Sequence, residues 1–324
     1  MIKVFQTIDD KLVTIENLAE KGIWINAINP DETELQQISQ TTGIHLDLLK
    51  AALDEEERSR IEVDESQLLI LINVPTFESS KGTLFYDTIP LGIIVTENAV
   101  VTVSLKDNLI LKDFEVSKTK SFFTYKRTRF VLQILFVTAS YYLRYLKQID
   151  KRSSEIENRL HKSMQNEELI KLLNLEKSLV YFITSLRANE IVMEKLLKSH
   201  LIKFDPDMQL TSQILKMYPE DEDLLEDVIT ENKQAIEMAE TYSNILSGMM
   251  DAFASVISNN LNIVMKFLTS VTIVLALPTM VASFYGMNVP LPFQNARFAF
   301  AIPIALSLLL SLLGAYLLRR KDMF

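Results

Sequence analysis

The side chains able to do chemistry in this chain present oxygen. It carries 42 Asp and Glu, three histidines and no cysteine. Disulfides and thiolate metal sites are therefore excluded, and His45, His161 and His200 are scattered without ligand spacing. Two groupings stand out by their order. Positions 251, 255, 258, 262, 265, 269, 272, 276, 279 and 283 read Asp, Ser, Ser, Asn, Met, Thr, Thr, Ala, Thr, Ser, a mostly polar or small stripe on one helical face. Just beyond it lies Tyr285-Gly286-Met287-Asn288, which ends in a neutral carboxamide. Neutral oxygens of this kind accept hydrogen bonds from water on a cation without the tight capture that carboxylates give. A small divalent ion such as Mg²⁺ keeps several of its waters in most sites, so this chemistry suits it.

The elements that position these groups come from the distribution of charge. Phe267 to Ala296 contains no charged residue, and Phe298 to Leu318 is a second uncharged run of 21 residues. About 20 residues cross the hydrocarbon core, so both can span a bilayer. Lys266 precedes the first run, Arg319, Arg320 and Lys321 follow the second, and only Arg297 lies between them. The positive-inside bias then puts both ends in the cytoplasm and the segment 286–297 outside. The first residues show no basic segment followed by an apolar one, so no signal peptide is expected there. A plasma (inner) membrane location follows as the expectation. The net charge of −9 despite a basic tail concentrates acid in the cytosolic part and argues against nucleic acid as a partner. Solubility and cation binding are both readings of that excess.

Residues 1–118 alternate short β-rich and helical runs and predict a compact α/β domain. Strands are expected at Ile2–Thr7, Ile23–Ile28, Gln67–Val74, Thr88–Val95 and Val100–Ser104. Pro30-Asp31 opens a helix that Gly43 closes, and a second is expected from His45 to about Arg58. Residues 119–218 predict a pair of charged amphipathic helices (122–163 and 167–200) and a connector around Phe204-Asp205-Pro206-Asp207 and Pro219. The uncharged Phe130–Leu143 is too short, at 14 residues, to span. A single stalk helix is expected over 219–285, entering the first span at about 267; its length would be roughly 100 Å. Apolar residues at 3,4 spacing from Leu225 to Phe267, with Asn232 and Asn260 as the exceptions, form a seam along it. Packing on its own domain and oligomerisation are both open. Gly248 within it permits either bending or close helix contact. For Thr269 and Thr272, bonding to the carbonyl a turn earlier is an alternative to lining a polar axis.

Asn262-Ile263-Val264-Met265-Lys266, then Leu277-Pro278-Thr279, then Tyr285-Gly286-Met287-Asn288, a short loop, one more span and a basic terminus resemble the CorA family of magnesium and cobalt transporters. The likeness is strong over about 224–321, and the order of the earlier domain and long helices is similar. It implies an α/β cytosolic domain, long helices and a two-helix transmembrane module assembled as a funnel-shaped homopentamer. Position by position, it implies that Gly286, Met287 and Asn288 form the selectivity ring and that Thr279 lines the pore. Met265 and Leu268 would make the apolar constriction, with Asn262 and Asp251 as polar rings below it. Asp227 would be one side of a regulatory Mg²⁺ site between subunits, its partner an acid among Asp54–Glu57 or Asp64-Glu65. The function implied is influx of Mg²⁺, with Co²⁺ or Ni²⁺, driven by the membrane potential and gated by cytosolic Mg²⁺. One departure is an external loop without acids, Val289 to Arg297.

The alternatives are a zinc-transporting branch of the same family and a membrane-anchored scaffold that transports nothing. Catalysis is not expected: the chain has no cysteine nucleophile, no G-x-S-x-G elbow and no His-carboxylate spacing, and the lack of a GxxxxGK[ST] loop favours a channel over a pump.

Overall fold

The computed structural model describes residues 1–80, 83–116, 122–162, 166–201, 206–289, 298–321 and 323. The expectations for 290–297, including Arg297, and for Phe204-Asp205 lie outside these residues. The chain divides into two compact units, Met1–Ser247 and Gly248–Phe324.

In the first unit seven strands form one mixed sheet in the order β2-β1-β3-β7-β6-β5-β4. These are β1 (Ile2–Ile8), β2 (Lys11–Ile15), β3 (Ile23–Ile28), β4 (Arg60–Asp64), β5 (Gln67–Ser80), β6 (Thr83–Val95) and β7 (Ala99–Ser104). Only β3 and β7 run parallel, with Ile25 opposite Val101. Alternation sorts the side chains of β3. Ile23, Ile25 and Ala27 join a core with Leu35, Ile38 and Leu49 of α1 (Glu32–Thr42) and α2 (Leu46–Lys50). Trp24 points the other way, into an aromatic cluster with Phe5, Phe114 of α3 (Leu109–Glu115), Phe122, and Phe130 of α4 (Arg127–Lys162). Its indole N–H donates to Thr102 Oγ1 at 2.9 Å, so the buried ring leaves no orphan donor. The sheet is thus covered on both faces, as the near-continuous burial of β3 and β7 requires.

Local signals account for the ends of α1. Asp31 and Glu34 form a capping box, and Gly43 closes the helix at φ 74°. The Thr33 hydroxyl and the Glu34 amide hold the Asp31 carboxyl below its ordinary value. The helix expected to run to Arg58 is shorter: α2 stops at Lys50, Ala51–Leu53 tighten into a 3₁₀ turn, and Asp54 is extended. The first long helix starts at Arg127 rather than 122, because Phe122 leaves the helical path to wedge against Trp24 and Phe130.

α5 (Asn166–Leu201) pairs with α4 and is fixed to the sheet by a buried amide. Asn189 Oδ1 accepts from the Asn73 amide and the Ser59 hydroxyl, both at 2.9 Å, and its Nδ2 donates to Asn73 O at 2.8 Å. The Tyr142 hydroxyl donates to the same carbonyl, and burial raises its phenol well above the ordinary value. Asn189→Leu strands a buried donor of β5. It is expected to cost about 1–3 kcal/mol, read as a lower unfolding midpoint by circular dichroism.

α6 (Pro206–Ile214) replaces what the sequence reads as a loop; a proline at the first helical position starts a helix rather than breaking one. α7 (Pro219–Tyr285) follows as a single helix. Within the first unit Leu225, Val228, Asn232, Ala235, Ala239 and Leu246 are buried, so this stretch of the seam packs on its own domain. Asn232 Nδ2 donates to Leu186 O of α5 at 3.0 Å.

The second unit holds the rest of α7 and α8 (Ala301–Arg320), two helices long and apolar enough to cross a membrane. At 20 residues α8 is about 30 Å long, the thickness of the hydrocarbon core. Leu277 and Val281 of α7 lie on the side towards α8. A Cβ at Gly314 would come within 2.9 Å of Leu277 Cδ1, so the Leu277 side chain packs over the glycine and would have to turn aside for a larger residue.

Candidate functional site: the polar face of the long helix

From Asp251 to Ser283, all ten positions of the polar stripe are exposed in the single chain. The opposite side of the same helix is not: Ser270 is fully buried and Val281 is 7% exposed. Within the uncharged part of this helix Thr269, Thr272, Thr279 and Ser283 lie on the exposed face, beside apolar residues such as Leu275 and Met280 that are exposed as well. Polar groups at membrane depth face protein or water.

The hydroxyls have a definite orientation. Thr272 Oγ1 donates to Leu268 O at 2.8 Å, Thr279 Oγ1 to Leu275 O at 3.2 Å and Ser255 Oγ to Asp251 O at 3.0 Å. The bond to the carbonyl a turn earlier is therefore made, but it does not retire the stripe. Each hydroxyl has one proton and two lone pairs, so with the proton committed to the helix only acceptor capacity faces outward. A shallow groove along this face is lined by Thr272, Ala276, Thr279 and Ser283 together with the apolar Leu275, Met280 and Phe284. Met265 and Leu268, expected as an apolar constriction, are 54% and 58% exposed and share the uncovered side with Asn262 and Asp251.

The helix stops where the motif begins. Gly286 N donates to Ala282 O at 2.9 Å and Met287 N to Phe284 O at 3.3 Å, closing the last turn. A Cβ on Gly286 would sit 3.2 Å from that Ala282 oxygen, a contact tight enough to need adjustment. Met287, Asn288 and Val289 follow in bends and are exposed.

Asp227 lies apart from this face, in the first unit, exposed between the buried Leu225 and Val228. Among the described residues no group of three or more His, Asp or Glu could hold a metal ion. Of its suggested partners, Glu57 is paired with Arg60 at 2.6 Å and Asp64 with His45 at 2.9 Å. Asp54, Glu55, Glu56 and Glu65 are exposed.

Ser270 has a role that the stripe does not predict. It is out of register with the polar positions, and its Oγ donates to Met323 O at 2.8 Å, tying the segment after α8 to α7. A hydroxyl off the polar face of a span was the available signal.

Comparison with known proteins places the chain among membrane transporters of divalent cations. The family model described as CorA-like Mg2+ transporter protein matches residues 19–320. The cobalt/magnesium transport protein CorA of Methanocaldococcus jannaschii is 30% identical over 324 residues, covering 97% of this chain and 95% of its own. The complete structure of the CorA magnesium transporter from that organism superposes with a TM-score of 0.82 at 28% identity, over 100% of this chain and 99% of the other. The cobalt/magnesium transport protein CorA of Thermotoga maritima is 23% identical over 309 residues, 94% of this chain and 84% of its own. The chain belongs to the CorA family.

Proposed function

We propose that five copies of this chain assemble around a common axis with the polar face of α7 turned inward, and that Mg²⁺ enters the cell along it, Co²⁺ or Ni²⁺ being further cargo. The observation that carries this reading is that ten mostly polar or small positions, in register from Asp251 to Ser283, share one exposed face of the helix that enters the membrane, while Ser270 and Val281 on its other side are buried. A single copy in lipid would leave that face against hydrocarbon. Symmetric closure of like subunits removes it from lipid and encloses a polar path.

Asn288 stands at the outer end of the path, with Gly286 and Met287 shaping the turn that presents it. Below, Thr279 and Thr272 offer lone pairs to waters already on the ion. Met265 and Leu268 narrow the path where it can dewet, and Asn262 and Asp251 receive the ion on the cytosolic side. The basic residues Lys266, Arg319, Arg320 and Lys321 support a plasma-membrane orientation with both ends cytoplasmic. The driving force is the membrane potential, about 2.3 kcal/mol per elementary charge per 100 mV and so roughly twice that for a divalent ion. Cytosolic Mg²⁺ bridging Asp227 to an acid of the neighbouring copy would favour the closed arrangement. A ligand shifts an equilibrium only by such preference for one state.

The test is uptake into proteoliposomes holding the purified chain and a Mg²⁺-sensitive dye. Influx is expected under a negative interior potential and should slow when the potential is abolished. Flux indifferent to potential would contradict the mechanism, and no flux with Mg²⁺, Co²⁺, Ni²⁺ or Zn²⁺ would favour a scaffold.

A further inference from the structure

A cavity of about 700 Å³ in the first unit lies away from the polar face, between the start of α4 and the connector that leads from α6 into α7. Its volume is that of a small-molecule site. Its charge runs against that of the chain: in a protein of net charge −9, four cations, Lys126, Arg127, Arg129 and Lys216, face two acids, Glu220 and Asp221.

These cations are not equivalent. Arg129 is held by both acids at 3.4 Å, and Arg127 Nη1 donates to the carbonyl of Thr96, with burial depressing its guanidinium. These two define the wall. Lys126 and Lys216 are exposed, and among the described residues neither ammonium has a carboxylate partner; Lys126 Nζ lies over the Phe123 ring in a cation–π contact at 4.9 Å. Their charge remains available to a ligand. The connector that carries Lys216 is pinned in place, since the Thr128 hydroxyl donates to the Lys216 carbonyl at 2.9 Å. Two aromatic rings complete the lining: Tyr125 is 52% exposed and Tyr218 68%. Large amphipathic rings left this open beside unpaired ammonium groups fit a ligand that joins a flat heterocycle to negative charge.

We propose that this cavity binds a nucleoside polyphosphate, with the phosphates on Lys126 and Lys216 and the base against Tyr125 or Tyr218. Lysine ammonium groups are compact point charges suited to phosphate oxygens. Aromatic faces stack bases of any identity. The site is therefore expected to select for the triphosphate chain more strongly than for the base.

The experiment is equilibrium binding of ATP to the full-length chain in detergent at low Mg²⁺, repeated with tripolyphosphate and adenosine. Two variants are compared: Lys126→Glu/Lys216→Glu, both on exposed side chains, and Tyr125→Ala/Tyr218→Ala. Circular dichroism confirms that each is folded. ATP is expected to bind the native chain and to lose affinity by about tenfold or more in the lysine variant, as loss of charged hydrogen bonds requires. The tyrosine variant should weaken ATP and leave tripolyphosphate unchanged. Absence of ATP binding by the native chain, or binding that the lysine variant leaves intact, overturns the site. Equal affinity for tripolyphosphate and ATP overturns the nucleotide assignment.

Discussion

Asn288→Ala is expected to lower Mg²⁺ uptake into proteoliposomes by about a hundredfold or more. A net hydrogen bond is worth about 1 kcal/mol, and in the proposed five-copy ring the loss repeats once per subunit, so losing three of the set already reaches about a factor of 100. The substitution leaves the fold alone, because Asn288 lies beyond the last turn of α7 and its side chain is exposed. Asn288→Asp separates the two components of the role. A carboxylate ring would hold the ion more tightly, so flux should saturate at lower Mg²⁺ and reach a smaller maximum. Native flux in Asn288→Ala would remove this residue from the path and leave the stripe without a defined entrance.

The second large effect is on regulation. Asp227→Ala is expected to leave the maximal rate near that of the native chain and to raise the internal Mg²⁺ needed for half inhibition by about tenfold, the value of 1.4 kcal/mol in an equilibrium constant. Asp227 is exposed and makes no described contact with the stripe, so conduction itself has no reason to change. The measurement is uptake at a series of preset internal Mg²⁺ concentrations. An inhibition curve that does not move would assign the sensing to other acids, Asp54, Glu55, Glu56 and Glu65 being the exposed ones nearest in type.

Central elements of the fold were legible and its margins were not. β3 and β7 sit in the middle of the sheet, where both faces are covered, and such strands read as continuous apolar runs that stand out in any window. β2 and β4 are the two edges. Lys11, Val13 and Thr14 are exposed on one, which leaves β2 without a clean alternation, and on the other Arg60-Ile61-Glu62-Val63-Asp64 does alternate but carries only two apolar residues among three charges, too short a signal to stand out. What joins β1 to β2 is the pair Asp9-Asp10 at φ 48° and 60°, a left-handed turn that acidic residues tolerate. The seam of α7 was visible as a pattern, but its meaning was divided. Leu225 to Leu246 are buried on the chain's own domain, whereas Val256 and Ile263 remain 41% and 55% exposed. Periodicity reports which face is apolar and says nothing of what covers it. The candidate path was readable for the same reason that strand β3 was: ten positions in register carry more information than any one of them. Ser270, a lone hydroxyl with a packing role, could not be told from its neighbour Thr269 by type; register separates the two, and the contact with Met323 shows what the off-register hydroxyl does.

The uncovered stripe has a genetic consequence. In the proposed assembly Thr272, Thr279 and Ser283 of every copy are shielded by the other copies, so no subunit would work alone, and a damaged one would be incorporated as readily as a sound one. An allele such as Asn288→Ala, which spoils the entrance and leaves the packing surfaces intact, should behave as dominant when expressed beside the native gene. An allele that prevents folding of the first unit should be recessive, because its product never reaches the ring.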